Sequence, residues 1–470
     1  MADRLGRPTI VHLGFGAFAR AHTAVYTEEA NRRSGELPWR IIGVTQRSAA
    51  VADQLNPQDG LYTVVEEGPD SAGVQLITCV ERVLDGPAAP QDVVEAIAAE
   101  HTHIVSLTIT EKGYRFDPRT GEVNLEDPQI QQDLAGGGPS TAVGQIVRGL
   151  QRRAAEGAGP LTVLSCDNLP GNGRLTADVV RSFVRALPGS ESAGLLEWIQ
   201  ANVRFPSTMV DRMVPQPTEA TSAAAQQATA HYDAGAVPSE HFRQWVLEDA
   251  FAGPRPLWEQ AGATFSDQVE QWEATKLRIL NAGHTLLAYL GLHRGCTTIA
   301  EAVQEPVFAQ ACRRLFSEEV IPTLEVPRGV DAQAYGEAVL HRFANAALGH
   351  TTQKVGTDGS QKLGPRVLST VARNLEQSRT PRWAALAVAA WFHHLTSGTE
   401  EVSDPLAETL RSRAASESSP EAVVRALLGE SEVFPQAIGS DDGFAEEITH
   451  WYRILQQQDL QTLRDEVGHG

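Results

Sequence analysis

The sequence predicts an α/β protein with two domains: a doubly wound parallel sheet over residues 1–270 and a mostly α-helical domain over residues 271–470. Three observations predict this fold class. The first part alternates continuous apolar runs with amphipathic stretches, as buried parallel strands and their crossover helices do. After about Trp272 the strand-like runs fade and long helical patterns take over. A chain of 470 residues is also long enough for two or three domains.

Four apolar runs are predicted as strands of the sheet: TIVHLGFG, WRIIGVT, HIVSLTIT and LTVLSC. A helix is predicted over about residues 20–33. Another is predicted to start behind Ser140 or Thr141 as N-cap and to end at Gly157. Residues 217–240 are rich in Ala, Thr, Gln and Ser and are predicted as a tolerant surface excursion. Beyond the sheet, helical patterns include LRILNAGHTLLAYLGL and PRWAALAVAAWFHHL.

Composition excludes several function classes. The formal charge is −20, so the chain lacks the basic footprint of proteins that bind nucleic acid or anionic membranes. No stretch has the length of uncharged apolar sequence needed to span a bilayer, and the N-terminus has no signal-peptide pattern. Four scattered cysteines without a CxxC pair predict reduced thiols, a cytoplasmic protein and no structural zinc site. An anionic substrate would therefore need a local cationic pocket.

A glycine turn follows the first predicted strand. Gly14, Gly16 and Ala19 form a GxGxxA pattern, which in this position is typical of a Rossmann-like dinucleotide site. The first glycine permits a tight turn, the second lets a pyrophosphate approach the backbone, and the helix N-terminus favours its negative charge. The alternative is a glycine-bearing turn in an unrelated sheet. The predicted cofactor-binding residues of this turn are Gly14, Phe15, Gly16, Ala17 and Phe18.

The acidic residue that usually follows the second strand and binds the adenosine ribose is missing. The segment reads Thr45-Gln46-Arg47-Ser48-Ala49-Ala50. Arg47 could stack on adenine or accept a 2′-phosphate. The sequence therefore predicts NAD without excluding NADP.

Lysine is rare in this chain, and most of the lysines lie within chemical motifs. The sequence has 39 Lys plus Arg, of which four are lysines: Lys112, Lys276, Lys354 and Lys362. Lysine can release its proton and act as a base, whereas arginine effectively cannot. A lysine kept in an arginine-rich background is therefore a functional candidate, although compositional drift alone would also reduce the lysine count.

The segment Glu273–His284 carries the densest group of such residues. On a regular helix Lys276, Leu280 and His284 fall on one stripe, and Asn281 shares a face with His284. Polar side chains on the inward face of an apolar helix need partners. The alternative interpretation is a solvated lysine beside a hydrogen-bonded core histidine.

Further polar groups follow predicted strands, where α/β proteins bind ligands. SCDNLPGNG contains Asn168, and TEKGY contains Thr110, Glu111 and Lys112. Asp211 and Arg212 lie in FPSTMVDRM, where a structural ion pair is an equally good interpretation as a substrate role. DGSQK ends at Lys362.

Together these blocks resemble the polyol-specific long-chain dehydrogenases, the mannitol dehydrogenase family. The blocks that match, in family order, are HLGFGAFARAH, TITEKGY, SCDNLPGNG, FPSTMVDR, FRQWVLED, KLRILNAGH and DGSQKL. The resemblance covers nearly the whole chain and implies a metal-independent dehydrogenase. It also implies site roles: Lys276 as general acid/base, Asn168 and Asn281 at the reacting oxygen, His284 orienting hydroxyls, Glu273 relaying protons, and Asp211 and Lys362 in the substrate pocket. Thr110 and Glu111 are expected at the cofactor.

Two departures from the family pattern are present. Ala282-Gly283 replace a frequent Gly-Ser pair, and Ala49-Ala50 replace the acids of the mannitol branch, which puts NAD selectivity in doubt. TEKGY and DGSQKL are more similar to the fructuronate reductase branch, and Lys112 suits a substrate with a carboxylate.

We therefore expect reversible NAD-dependent reduction of D-fructuronate to D-mannonate, by a monomer or weak homo-oligomer acting on a small sugar acid or polyol. The alternatives are mannitol or arabinitol oxidation and, in a different class, a dinucleotide-binding sensor or pseudoenzyme.

Overall fold

The computed structural model describes residues 6–68, 73–398, 402–458 and 460–469. The chain divides into two units, Met1–Glu270 and Gln271–Gly470. The first contains the β-sheets with helices around them, and the second is helical, as the sequence predicts.

Six strands of the first unit form one parallel sheet. All strands of the first unit, inside and outside this sheet, are β1 (Thr9–Leu13), β2 (Arg40–Thr45), β3 (Tyr62–Glu66), β4 (Gly73–Ile77), β5 (Val80–Asp85), β6 (Thr102–Leu107), β7 (Leu161–Ser165), β8 (Val203–Arg204), β9 (Thr208–Asp211), β10 (Val237–Ser239), β11 (Gln244–Leu247) and β12 (Thr264–Phe265). The parallel sheet has the order β5-β2-β1-β6-β7-β8. Numbered within this sheet alone, that order is 3-2-1-4-5-6, the order of dinucleotide-binding doubly wound sheets. The strand order reverses between β1 and β6: β2 and β5 lie on one side of β1, whereas β6, β7 and β8 lie on the other.

Helices cover the sheet, which explains why its strands are apolar on both sides. The helices are α1 (Ala17–Ala21), α2 (Thr23–Ser34), α3 (Ala50–Leu55), α4 (Pro90–Ala98), α5 (Glu111–Tyr114), α6 (Pro128–Leu134), α7 (Ala142–Glu156), α8 (Asn172–Ala186), α9 (Gly189–Asn202) and α10 (Glu219–Thr229). Ile10 and Ile104 belong to one buried cluster, whereas Val11 and Val105 belong to another. Successive residues of a strand point to opposite faces, so the two clusters lie on opposite faces of the sheet. Both cores need apolar residues, which produces the continuous runs seen in the sequence.

Two predictions for this unit need correction. The helix predicted over 20–33 begins at Ala17 and is interrupted at His22, whose φ of −123° and ψ of −80° are not helical. Residues 217–240 are only in part a surface excursion. They contain α10, which Thr218 caps with a reciprocal capping box, and β10, which is buried and pairs with β3. In contrast, Thr141 caps α7 and Gly157 ends it in the left-handed conformation, as predicted.

The second unit consists of helices around a buried pair, α12 and α19. Its helices are α11 (Val269–Thr275), α12 (Ala282–Arg294), α13 (Ile299–Gln304), α14 (Pro306–Arg314), α15 (Ala332–Phe343), α16 (Thr352–Val355), α17 (Gly359–Leu363), α18 (Ser369–Glu376), α19 (Arg382–Thr396), α20 (Ala407–Ala415), α21 (Pro420–Leu428), α22 (Gln436–Gly439), α23 (Asp442–Gln456) and α24 (Leu460–His469). Three segments are π-helical: Lys276–Asn281, Leu315–Val320 and Gly364–Leu368. Residues 286–290 of α12 and 384–392 of α19 are almost all completely buried, so both helices lie inside the unit.

A buried carboxylate caps α19 from outside that helix. Pro381 occupies the N-cap position, where it provides no side-chain acceptor. Glu319 replaces it, accepting the backbone N–H groups of Trp383 at 2.6 Å and Ala384 at 2.8 Å. Burial raises the pKa of Glu319 to about 8, although these two N–H groups oppose the shift.

Stability should therefore depend on pH through Glu319. Its pKa rises from 4.5 in the free side chain to about 8 in the folded chain, so the folded state holds this proton more tightly than the unfolded state. The resulting stability is full below pH 4.5 and is lost as the pH rises through about 8, by up to about 1.4 kcal/mol per pH unit. Urea unfolding between pH 5 and 9 measures this slope, and Glu319→Gln should flatten it.

Glu318→Gln is the matched control, because the Glu318 side chain is 47% exposed and binds the Trp383 indole N–H rather than the helix backbone. It should keep most of the slope of the original chain, because the charge of Glu318 contributes to the raised Glu319 pKa less than burial does. Equal slopes for the original chain and Glu319→Gln would show that Glu319 does not carry this proton.

Candidate active site

The glycine turn lies where the sheet order reverses. Gly14 has a φ of +84°, and a Cβ at this position would lie 2.2 Å from the carbonyl oxygen of Thr108. Only glycine fits, because β1 and β6 approach each other here. The N–H groups of Gly14 and Phe15 both bind the carbonyl oxygen of Val44, at 2.9 and 3.0 Å, which anchors the turn to β2. The turn is thus held by strands on both sides.

Gly16 differs from Gly14 because nothing in the turn crowds it. The nearest atom to a Cβ at Gly16 would be the Gly14 carbonyl oxygen, 3.8 Å away. Internal packing therefore does not require glycine here, and an approaching ligand gives a better reason for it. The Phe15 ring is buried against Gly43, so it serves the core rather than the surface of the turn. Ala17 and Phe18 lie in the first turn of α1, and Phe18 stacks on His22 at 4.9 Å.

A buried histidine supports the turn from behind. His12 binds Ser106 at 2.7 Å through Nδ1 and Thr108 at 2.8 Å through Nε2. The Thr108 hydroxyl donates its hydrogen to the Gly14 carbonyl oxygen at 2.9 Å, so Nε2 of His12 must be the donor to Thr108. Burial lowers the pKa of His12 to about 3. His12 is therefore neutral and links β1 and β6 beneath the turn.

Arg47 lies at the predicted adenosine end of the edge. It follows β2 and is exposed. Its neighbour Gln46 donates a hydrogen bond to Gln145 at 2.8 Å, which fixes the chain just before it. Arg47 is therefore accessible at the carboxyl end of β2, where the sequence places it.

Asp167 organises the loops after β6 and β7. No sequence pattern had marked it as a site residue. Its carboxylate accepts the N–H groups of Ile109 at 3.0 Å and Thr110 at 2.9 Å, and the hydroxyl of Tyr114 at 2.8 Å. Thr110 has φ +65° and ψ 163°, a conformation that is costly for any residue except glycine. Burial raises the pKa of Asp167, and the three hydrogen bonds oppose that shift. Asp167 thus holds a strained turn in place.

Asn168 follows directly and is exposed at the end of β7. The side chain of Asn172 fixes this loop to β9, donating to the carbonyl oxygens of Asp167 at 3.0 Å and Thr208 at 2.8 Å. Glu111 and Lys112 are exposed on α5, directly after Thr110. The structure therefore brings TEKGY and SCDN together at one edge, through Asp167 and Tyr114.

The residues of the VDR motif have different environments. Arg212 is buried and donates to Glu66 at 2.8 Å and to the carbonyl oxygens of Ala21 and Glu240. Arg212 thus has the structural role that was the alternative to a substrate role. Its ion-pair partner is Glu66. Asp211 is 5% exposed at the end of β9.

In the second unit, Lys276 begins a π-helical segment. This segment separates α11 from α12, whereas the sequence predicted one regular helix. A π-helix closes its hydrogen bonds at i→i+5, so its turn is wider and a four-residue spacing no longer defines one face. The predicted stripe of Lys276, Leu280 and His284 therefore does not hold across the segment. Lys276 is 6% exposed, and Glu273 is half-buried on α11.

Asn281 and His284 each have an unused polar atom. Among the described residues, Oδ1 of Asn281 and Nε2 of His284 are buried and lack a hydrogen-bond partner. Buried polar atoms without partners cost free energy, and a bound ligand would supply the missing partners. The alternative of a satisfied core histidine does not describe His284.

Positive charge surrounds His284. Its ring stacks on Phe343, with centroids 4.8 Å apart, and lies 5.8 Å from His350. Burial, followed by His350, Arg366, Arg342 and Lys362, lowers the pKa of His284 well below its ordinary value. The ring is neutral, so it can both donate and accept a hydrogen bond.

The DGSQK motif packs tightly against α12 and α19. A Cβ at Gly359 would lie 2.4 Å from both Trp391 Nε1 and Tyr289 Oη, so glycine is required. This contact holds α17 close to α12. Lys362, on α17, donates to Thr357 at 3.1 Å and lies 3.9 Å from Asp358. Burial and then Arg366 lower the pKa of Lys362. Lys354 is exposed.

A separate cavity of about 300 Å³ in the second unit contains none of the predicted site residues. It is lined by Leu292, His293, His393, His394, Thr396, Ser397, Tyr452, Gln456 and Gln458. Within the described ranges, no three His, Cys, Asp or Glu side chains are grouped to hold a metal ion. None of the helices that the structure describes combines the length and apolar character of a membrane-spanning segment.

Comparisons with known proteins agree with this architecture. The mannitol dehydrogenase Rossmann domain matches residues 8–260, and the mannitol dehydrogenase C-terminal domain matches residues 268–456. The chain is 38% identical to D-mannonate oxidoreductase of Escherichia coli, covering 95% of this chain and 93% of that protein. It is 34% identical to mannitol 2-dehydrogenase of Pyrenophora tritici-repentis, covering 90% and 76%.

A solved structure is also similar. Mannitol 2-dehydrogenase of Pseudomonas fluorescens, in a ternary complex with NAD and D-mannitol, superimposes with a TM-score of 0.85 at 35% identity. The match covers 99% of this chain and 95% of that one. The two family domains and these relatives bear out the resemblance of the sequence motifs. The chain therefore belongs to the mannitol dehydrogenase family and is an oxidoreductase that acts on CH–OH groups.

Proposed function

We propose that the chain catalyses the reversible, NAD-dependent reduction of D-fructuronate to D-mannonate. The observation that carries this proposal is the polar group on and beside α12. A buried lysine, Lys276, precedes two side chains with unpartnered polar atoms, Asn281 and His284. A polyhydroxylated substrate offers the hydrogen bonds that these atoms lack.

The cofactor assignment rests on the glycine turn. Gly14 keeps the turn tight, and Gly16 leaves its backbone open to a pyrophosphate. When bound, the cofactor supplies the hydride. NAD is present in the Pseudomonas fluorescens mannitol 2-dehydrogenase that this chain resembles, and Arg47 is placed to contact the adenosine end.

Lys276 donates or accepts the proton that accompanies hydride transfer. In the reductive direction its ammonium protonates the forming alkoxide, while the amides of Asn168 and Asn281 stabilise that oxygen. In oxidation Lys276 must be neutral to accept the proton. Glu273, three residues before Lys276, relays the proton. His284 orients the substrate hydroxyls through its neutral ring.

A sugar acid suits the local charge better than a neutral polyol. The chain carries a formal charge of −20, yet Lys362, Arg366 and Arg342 all act on His284. Such a concentration of positive charge against the net charge favours an anionic substrate. Lys112 is exposed on α5 and adds a further cation, while Asp211 contributes a hydrogen-bond acceptor to the substrate.

A substrate panel tests the proposal. Purified protein is assayed with NADH and with NADPH against D-fructuronate and D-fructose. We expect D-fructuronate with NADH to give the highest kcat/KM. A clear preference for D-fructose would support the mannitol branch instead, and a protein that binds the dinucleotide but turns over neither substrate would be a sensor.

Removing the general acid/base should abolish chemistry selectively. Lys276→Ala is expected to lower kcat by at least about 10²-fold, the usual scale for losing such a group. Fluorescence titration should show that NADH binding is retained. Lys354→Ala is the control, because Lys354 is exposed, and it should keep its turnover. Near-normal turnover of Lys276→Ala would contradict the assignment.

Asp167 should act on the cofactor edge through the Thr110 turn. Asp167→Asn replaces one acceptor oxygen with a donor, so the KM for NADH is expected to rise roughly 10-fold, as expected for the loss of a charged hydrogen bond. Glycine adopts the Thr110 conformation without strain. Adding Thr110→Gly to Asp167→Asn should therefore restore the KM at least about 5-fold, since the strain of such a residue is about 1–3 kcal/mol.

Steady-state kinetics of the single and double variants measure this rescue. Thr110→Gly alone should leave the KM for NADH close to that of the original chain. No recovery in the double variant would show that Asp167 acts elsewhere.

A further inference from the structure

Arg366 is half-buried, and it has neither a carboxylate partner nor more than one hydrogen bond to a described residue. It lies in the π-helical segment Gly364–Leu368, directly after α17. Its one hydrogen bond to a described residue is from Nη1 to the Thr285 hydroxyl at 3.1 Å. No carboxylate of the described residues lies within ion-pair distance of it. A guanidinium has five N–H donors, so the described residues leave most of the Arg366 donors unused.

Three other arginines with low exposure have more partners. Arg212 binds Glu66 at 2.8 Å, and Arg243 binds Glu29 at 2.6 Å. Arg278, in the second unit, donates to Thr370 and to the backbone and hydroxyl of Thr323. The usual solution in this chain is therefore a carboxylate or several oxygens. Arg366 lacks both.

Partial burial makes this unpaired charge costly. Desolvation lowers the pKa of Arg366, and only Tyr289 opposes the shift. A buried charge without a counter-ion strongly destabilises a fold, whereas one that meets an ionic ligand is compensated on binding. Asp404, whose charge acts on the neighbouring Lys362, already binds the N–H and hydroxyl of Ser360 at 2.7 and 2.6 Å.

The position of Arg366 points to the substrate. Thr285, its hydrogen-bond partner, follows His284 directly in α12. The charge of Arg366 also affects both His284 and Lys362. A ligand that satisfies Nε2 of His284 is therefore within reach of a guanidinium whose donors are free for an anion.

We propose that Arg366 binds the substrate carboxylate and thereby selects sugar acids over neutral keto sugars and polyols. This inference rests on the proposed function and names the residue that sets its substrate class. A guanidinium can bind a carboxylate through two parallel hydrogen bonds, which a neutral CH₂OH group cannot reproduce. Lys362, beside it, binds a neighbouring hydroxyl.

Two substrates that differ only at the carboxylate test this role. D-Fructose is D-fructuronate with CH₂OH in place of the carboxylate. Arg366→Gln should lower kcat/KM for D-fructuronate on the order of 10- to 100-fold, the range for a hydrogen bond to a charged group, mainly through KM. The kcat/KM for D-fructose and the KM for NADH should stay the same. Arg366→Lys should recover part of the loss, because it keeps the charge but not the fork.

Stability separates this role from a structural one. Because Arg366→Gln removes an unpaired buried charge, its melting temperature should equal or exceed that of the original chain. Arg373→Gln is the control, since Arg373 is exposed and pairs with Glu376 at 3.1 Å, and it should change neither substrate. Equal loss with both substrates, or a lower melting temperature with no change in selectivity, would overturn the proposal.

A binding measurement distinguishes failure of this inference from failure of the proposed reaction. Calorimetric titration in the presence of NAD⁺ compares D-mannonate with D-mannitol, which again differ at the carboxylate. Tighter binding of D-mannonate that Arg366→Gln removes would support the subsite even where D-fructuronate is not reduced. Equal affinity of the original chain for both ligands would exclude the subsite, whatever reaction the chain catalyses.

Discussion

The Asp167 carboxylate is the interaction on which the ligand edge of the sheet depends. Two loops leave the sheet there, one after β6 and one after β7. Asp167 belongs to the second and accepts two backbone N–H groups and the Tyr114 hydroxyl from the first. A single partly desolvated charge therefore fixes the strained Thr110 and the exposed Asn168 at the same time. Neutral His12, on β1, supports the neighbouring glycine turn, whereas the Asp167 carboxylate lies after β7.

The second unit solves a related problem with packing. Around α12, glycines admit bulky neighbours: a Cβ at Gly283 would lie 2.6 Å from the Phe316 ring, and one at Gly359 would lie 2.4 Å from the indole of Trp391. The His284 ring stacks on Phe343, which limits its rotamers before any ligand arrives. Interactions preorganised in this way need no rearrangement during the reaction. The π-helical segment at Lys276 is consistent with this, because such segments are frequent at functional sites.

Sequence patterns predicted what depends on local physics. Apolar runs gave β1, β2, β6 and β7, because strands covered on both faces must be apolar throughout. The glycine turn and the Thr141 cap were predicted for the same reason: backbone geometry restricts the residue types. The α10–β10 region was missed, since its small polar residues are stabilised by pairing with the distant strand β3 and by Asp233 accepting from Thr63. The π-helical segment was missed because hydrophobic spacing does not distinguish it from an α-helix.

The lysines of the proposed site and Arg366 have different chemical tasks. Rarity made lysine visible in the sequence, whereas one arginine among so many carries no such signal, and only its missing partner makes Arg366 stand out. Lysine suits a position where a proton must leave, because burial can make its neutral form accessible. Arginine suits a position where charge must persist, since its pKa remains high even when burial lowers it. Burial lowers the pKa of both Lys362 and His284, and the permanent charge of Arg366 lowers both further. A fixed cation that anchors an anion can thus also set the protonation of the groups around it.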